Sequence, residues 1–231
     1  MIIIMIRKTC ITLILILVGV SVYGQTRITV NQINDSMSIA RFHSDSLVFG
    51  NWNKYDISPD SMVLGIVSPG EKTVTIRNQI GSIIKVFSSD ADGIAIGNNG
   101  TFVLIKSLVA ENGSRKTKVG FFSQNGQLVK DSIFNGGFNA KFMSNGKLMA
   151  TEANDEYGLR LPKAGCIVIL FASNFEIIMV KEIENQLYLK ASPIYDEFNQ
   201  WYSFSVFSRG SNPEEYKVTI KRYDQDFNEI K

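Results

Sequence analysis

Val119-Gly-Phe-Phe-Ser-Gln-Asn-Gly-Gln-Leu-Val-Lys130 reads as two short strands joined by a turn. Two short apolar runs flank Asn125-Gly126, a dipeptide suited to a two-residue type I′ hairpin turn with positive φ at both central positions. Related segments occur three more times: Val74–Lys85, Ile167–Val180 and Val218–Lys231. Aligning their turns on Gly81, Gly126, Phe175 and Phe227 gives separations of 45, 49 and 52 residues. Recurrence at 45 to 52 residues marks a repeated supersecondary unit.

A second motif precedes each hairpin: Ser58-Pro-Asp-Ser-Met-Val-Leu64, Asn98-Asn-Gly-Thr-Phe-Val-Leu104, Ser144-Asn-Gly-Lys-Leu-Met-Ala150 and, more weakly, Glu197-Phe-Asn-Gln-Trp-Tyr-Ser203. Each is a polar turn leading into a strand. One unit therefore reads strand, polar turn, strand, loop, strand, turn, strand. The predicted fold is all-β: antiparallel four-stranded meanders repeated about four times, over 54–89, 90–136, 137–185 and 186–231, after N-terminal strands in 25–53. No stretch holds a 3.6-residue apolar period, so helix is not expected.

Blades of β-propellers are four-stranded units of this length. Ser58-Pro59-Asp60 and Ser144-Asn145-Gly146-Lys147-Leu148 resemble the turn between the first two strands of blades in TolB-like and WD-repeat-like families. The resemblance covers residues 54–231 and implies a β-propeller-like array, closed or incomplete. A β-sandwich uses similar short strands, but two recurring turns per unit favour blades.

Residues 1–24 stand apart. Arg7 and Lys8 precede an apolar run, Ile11 to Val22, and small residues follow, the pattern of a secretory signal peptide. The run is shorter than the roughly 20 residues that span a bilayer, so no membrane span is expected after cleavage. A mature start at Gln25 resembles exported proteins of the Bacteroidota, which implies the periplasm, cell surface or medium. Removing Arg7 and Lys8 from 24 basic residues leaves 22 against 22 acidic ones. A neutral mature chain gives no electrostatic case for nucleic acid. Cys10 leaves with the leader and Cys166 stands alone, so no intrachain disulfide is expected.

The chain offers little chemistry. Its single His, His43, lies in Phe42-His-Ser-Asp-Ser46, where neighbours in an extended segment point to opposite faces rather than converging as a triad. One His and one mature Cys cannot supply the four ligands of a structural zinc site. Asp224-Gln-Asp226-Phe-Asn228 has the spacing that opens a calcium loop, but Glu229 follows where glycine is required, and the segment coincides with a hairpin turn. Ser88-Ser-Asp-Ala-Asp-Gly93 resembles a sialidase Asp-box with an extra residue. No nucleophile elbow, P-loop or dinucleotide fingerprint is present. Catalytic, cofactor and metal residues are therefore not assigned. Trp52, Trp201, Tyr202 and Tyr223 are the candidate ligand-surface aromatics, for a sugar or peptide.

The expectation is an exported, non-catalytic propeller-like protein that binds a protein or glycan through its loops. A propeller-fold glycan hydrolase or lyase, with carboxylates from different repeats meeting at the channel, is the enzymatic alternative. The sensory part of a longer envelope protein is another. Mass spectrometry of exported protein should find the N-terminus at Gln25 or within a few residues of it; an intact Met1 leader on the folded protein would contradict the leader assignment.

Overall fold

The computed structural model describes residues 27–109, 115–153, 166–183, 194–209 and 216–230. All its regular structure is β. A three-stranded sheet comes first: β1 (Thr29–Asn34), β2 (Met37–Arg41) and β3 (Ser46–Gly50). Four sheets of four strands follow. The second holds β4 (Lys54–Ile57), β5 (Val63–Ser68), β6 (Thr73–Asn78) and β7 (Ile83–Ser88). The third holds β8 (Gly93–Ile96), β9 (Phe102–Val109), β10 (Arg115–Phe122) and β11 (Leu128–Asn135). The fourth holds β12 (Gly137–Phe142), β13 (Leu148–Ala153), β14 (Cys166–Phe171) and β15 (Ile177–Ile183). The fifth holds β16 (Ile194–Asp196), β17 (Trp201–Arg209), β18 (Tyr216–Tyr223) and β19 (Glu229–Ile230). Every pairing is antiparallel and joins strands consecutive in sequence.

Side chains alternate across a strand, and here both faces are apolar. On β9, Phe102 and Leu104 pack toward the second sheet, while Val103 and Ile105 pack toward the fourth. On β14, Ile169 and Phe171 face the third sheet, and Val168 and Leu170 face the fifth. The result is four apolar layers, one between each successive pair of sheets. Gly65 on β5 is required by this stacking: a Cβ there would come within 2.6 Å of Ile94 Cδ1 on the next sheet. Strands β4, β8 and β12, the first of their sheets, lie against one another in turn and form the inner side of the array. This is a β-propeller-like arrangement, and among the described residues no core cluster joins the fifth sheet to the first. Val103, Phe121, Leu148 and Ile169 are buried in the layers. The side chains of Val218 and Cys166 lie outside the described residues.

The hairpin at Asn125-Gly126 differs from the two-residue type I′ turn expected for it. Gly126 has φ of 75°, but Asn125 is not left-handed. Gly126 N–H donates to Ser123 O at 2.8 Å, and Ser123 N–H donates to Gln127 O at 3.0 Å. The loop is thus a type I turn closed by one left-handed residue, and the β10–β11 register shifts between Phe121 and Phe122. The same pair of bonds recurs at Asn78–Ser82, Ala172–Glu176 and Asp224–Asn228. The residues aligned from sequence, Gly81, Gly126, Phe175 and Phe227, all have positive φ, from 61° to 84°.

Gly126→Val should cost about 1–3 kcal/mol, because a β-branched residue tolerates left-handed φ poorly. Gly70→Val, where φ is not left-handed and nothing lies within 4 Å, should change stability by less than about 0.5 kcal/mol. Urea midpoints that fall equally for both would contradict the turn. Ile169→Ala, in the layer between third and fourth sheets, should cost about 2–5 kcal/mol in the same assay.

Candidate functional site

Because strands alternate in direction, the first and third connections of each meander emerge at one end of the array. That end is built of tight turns. At each of Asn99, Asn125, Asn145 and Asn174 the side-chain oxygen accepts the backbone N–H two residues on, at 3.0–3.2 Å. Asp60 accepts Met62 N–H in the same manner, and Asp224 accepts the N–H of Asn228, four residues on, at 2.7 Å. These residue types recur because a short amide or carboxylate satisfies turn N–H groups that no strand can reach. The bond from Asn228 N–H holds the Asp224 carboxyl below its ordinary value, and bonds from Asn199 do the same for Asp196.

The turns are also tied to one another. Asp60 N–H donates to Asn98 Oδ1 at 2.9 Å, from one sheet to the next. A lysine on the outermost strand of the second, third and fourth sheets reaches the outer turn of the next sheet. Lys85 Nζ donates to Asn125 O, Lys130 to Phe175 O and Lys181 to Phe227 O. Lys130 also lies 4.9 Å from the Phe121 ring centroid and 5.3 Å from that of Phe171. At the fifth sheet, Lys147 Nζ meets Tyr202 Oη at 3.3 Å. Over this locked framework, Ile80 (46% exposed) and Phe198 (94% exposed) stand out at turn tips.

The four aromatics picked from sequence do not form one surface. Trp52 is 69% exposed, but it lies in the β3–β4 connection, at the opposite end from the tight turns. Tyr202 and Tyr223 are buried in the layer between fourth and fifth sheets, packed on Phe227 with ring centroids 5.3 and 5.2 Å away. They are core residues and present no ring to a ligand. Burial pushes the Tyr223 hydroxyl up to about 12. Trp201 is half-buried at the turn end, donating through Nε1 to Asp196 Oδ2 at 3.0 Å, with the Arg222 guanidinium 5.4 Å from its ring. Phe42–Asp45 is the β2–β3 turn, so His43 and Asp45 do not assemble a triad. Asp224–Asn228 is a hairpin turn, not a calcium loop. Asp92 of the Asp-box-like segment accepts Ser107 N–H at 2.7 Å and ties β8 to β9.

Sequence reasoning missed one pair. Asp56 on β4 and Lys141 on β12 form an ion pair across the inner side of the array, 85 residues apart in the chain. The other Asp56 oxygen accepts Ile96 N–H from β8 at 3.0 Å, so one carboxylate gathers the first strands of three sheets. Burial raises the Asp56 carboxyl above its ordinary value, and Lys141 and Ile96 N–H only partly oppose that. Ionising Asp56 therefore costs more in the folded chain than in the unfolded one. The pair fixes geometry more than it adds stability. A carboxylate neutralised by a lysine is also the opposite of the paired carboxylates a glycosidase needs.

No protein-family model matches the sequence. No curated protein matches it either. Solved structures do. The β-propeller domain of the Trilobed protease from Pyrococcus furiosus, described as having an open velcro topology, is 11% identical with a TM-score of 0.47, over 84% of this chain and 61% of that one. The Swd1 β-propeller domain from Myceliophteria thermophila is 9% identical with a TM-score of 0.36, over 89% and 84%. A protein of unknown function from Bacteroides caccae is 8% identical with a TM-score of 0.36, over 87% and 74%. This chain spans less than two thirds of the Pyrococcus domain it matches. At such similarity no ligand or activity passes from those proteins to this one.

Removing Lys141 should leave an unneutralised, largely buried carboxylate. Lys141→Met is expected to cost about 1–3 kcal/mol at neutral pH. The deficit should disappear as pH falls and Asp56 takes up a proton in both proteins, since Lys141 lowers the folded pKa only relative to the variant. The double variant with Asp56→Asn should recover most of the loss. Denaturation curves at several pH values test this; a pH-independent deficit would place the charge of Asp56 elsewhere.

Proposed function

We propose that this chain is an exported, non-catalytic β-propeller-like protein that binds a glycan or protein with its tight-turn end. The reading rests on the way that end is built. Its turns are held by their own Asn and Asp side chains and stitched from sheet to sheet by Lys85, Lys130 and Lys181. A surface rigid before binding loses little conformational entropy on contact. Phe198 stands almost fully exposed on it, three residues before Trp201 at the start of β17. An aromatic ring next to turn amides supplies a stacking face and hydrogen bonds together, a combination suited to sugar rings and to peptide side chains. Export rests on the leader-like residues 1–24 alone.

An oligosaccharide array and an immobilised peptide library probed with the purified protein test the reading. Saturable binding to one ligand class is expected, weakened tenfold or more by Phe198→Ala or Trp201→Ala and unchanged by Trp52→Ala at the opposite end. Binding indifferent to Phe198 and Trp201 would reject the turn end as the contact surface. Cleavage of a bound oligosaccharide would reject the non-catalytic reading.

A further inference from the structure

The dipeptide Asn-Gly recurs along this chain, beginning at Asn99, Asn112, Asn125, Asn135 and Asn145. Asn112-Gly113 lies outside the described residues. At Asn99, Asn125 and Asn145 turn chemistry accounts for the pair: the amide side chain caps the turn, and the next residue must be left-handed. Gly100, Gly126, Gly136 and Gly146 have φ of 77°, 75°, 87° and 78°. The same pair is chemically labile in an unfolded chain, because no Cβ shields the glycine nitrogen from the preceding side chain. That nitrogen attacks Asn Cγ. A new N–Cγ bond forms, the Cγ–Nδ2 bond breaks, and ammonia leaves with the glycine proton. Water then opens the succinimide ring to Asp or isoaspartate.

We infer that Asn99, Asn125, Asn135 and Asn145 are latent deamidation sites, gated by the opening of the backbone bond that holds each following glycine. All four asparagines are exposed, so burial does not protect them. The nucleophile is what the fold withholds. Gly100 N–H donates to Gly97 O at 2.9 Å, Gly126 N–H to Ser123 O at 2.8 Å, Gly136 N–H to Arg115 O at 2.8 Å and Gly146 N–H to Met143 O at 2.9 Å. At three of the sites the electrophile is held too, since Asn99, Asn125 and Asn145 each keep Oδ1 on the N–H two residues on. Closing the succinimide requires both bonds to break, and hence the turn to open. Conversion would not be silent. Isoaspartate at Asn125 lengthens the backbone by one carbon just before the left-handed residue, and it displaces the carbonyl that receives Lys85. Asn174 supplies an internal comparison: its turn carries the same bonds, but Phe175 stands where the others have glycine and crowds the attacking nitrogen. The gating does not depend on what the tight-turn end binds.

Peptide mapping by mass spectrometry tests the inference, on the full chain kept folded and on the chain unfolded in guanidinium chloride, at one mildly alkaline pH. Far-UV dichroism checks that the first sample stays folded throughout. In the unfolded chain all four asparagines should convert, and Asn174 should lag behind them. In the folded chain each of the four should convert at least about fivefold more slowly than when unfolded, because conversion follows the small population with an open turn. Amide hydrogen exchange at Gly100, Gly126, Gly136 and Gly146 reads the opening of the same bonds. The order of exchange protection should therefore match the order in which deamidation is slowed. The inference is overturned if any of the four converts in the folded chain within about fivefold of its unfolded rate. It is overturned equally if the best-protected glycine follows the asparagine that is slowed least.

Discussion

A four-stranded meander with apolar side chains on both faces has nowhere to hide either of them alone. Stacking is the only way to remove both from water, and it requires that every strand keep its register, since a slip of one residue exchanges the two faces. The five-residue outer turn sets that register. One left-handed residue closes it, and in the outer hairpins of the second, third and fourth sheets the shift of one residue beside it lets the outermost strand continue in step.

The left-handed position shows how competing terms are decided. Gly81 and Gly126 occupy it without penalty, but Phe175 and Phe227 occupy it too, with φ of 67° and 61°. A bulky residue there costs on the order of 1 kcal/mol or more. Burying a phenylalanine ring returns about 1.5–3 kcal/mol, and both rings are almost wholly buried. Phe175 packs 5.2 Å from Phe121 across the layer between sheets, and Phe227 closes on Tyr202. Burial wins. The turn residue becomes a core residue, and the carbonyl it leaves at the surface receives the lysine from the sheet before.

Much of the architecture was legible in the sequence because it is written locally. The aligned positions Gly81, Gly126, Phe175 and Phe227 all turn out left-handed. Asn125-Gly126 favours type I′ in isolation, whereas the hydrogen bonds of Ser123, one donated to Gln127 O and one accepted from Gly126 N–H, make a longer loop. The burial of Tyr202 and Tyr223 is not legible in the sequence, because an aromatic beside a turn looks the same whether its ring faces water or the next sheet. The Asp56–Lys141 pair left no trace in the sequence: nothing local links residues on the first strands of sheets with another sheet between them. The lysine stitches were partly visible, since Lys85 and Lys130 each follow their left-handed glycine by four residues, but Lys181 follows Phe175 by six.

Successive meanders stack through shared apolar layers, and proton–proton contacts between aromatic rings report on that stacking. Phe121 belongs to the third sheet, and Phe171 and Phe175 to the fourth sheet and its outer turn, with ring centroids 5.3 and 5.2 Å from Phe121. Nuclear Overhauser cross-peaks between ring protons of Phe121 and those of both partners are expected. A Phe121 ring with contacts only to residues of its own sheet would contradict it.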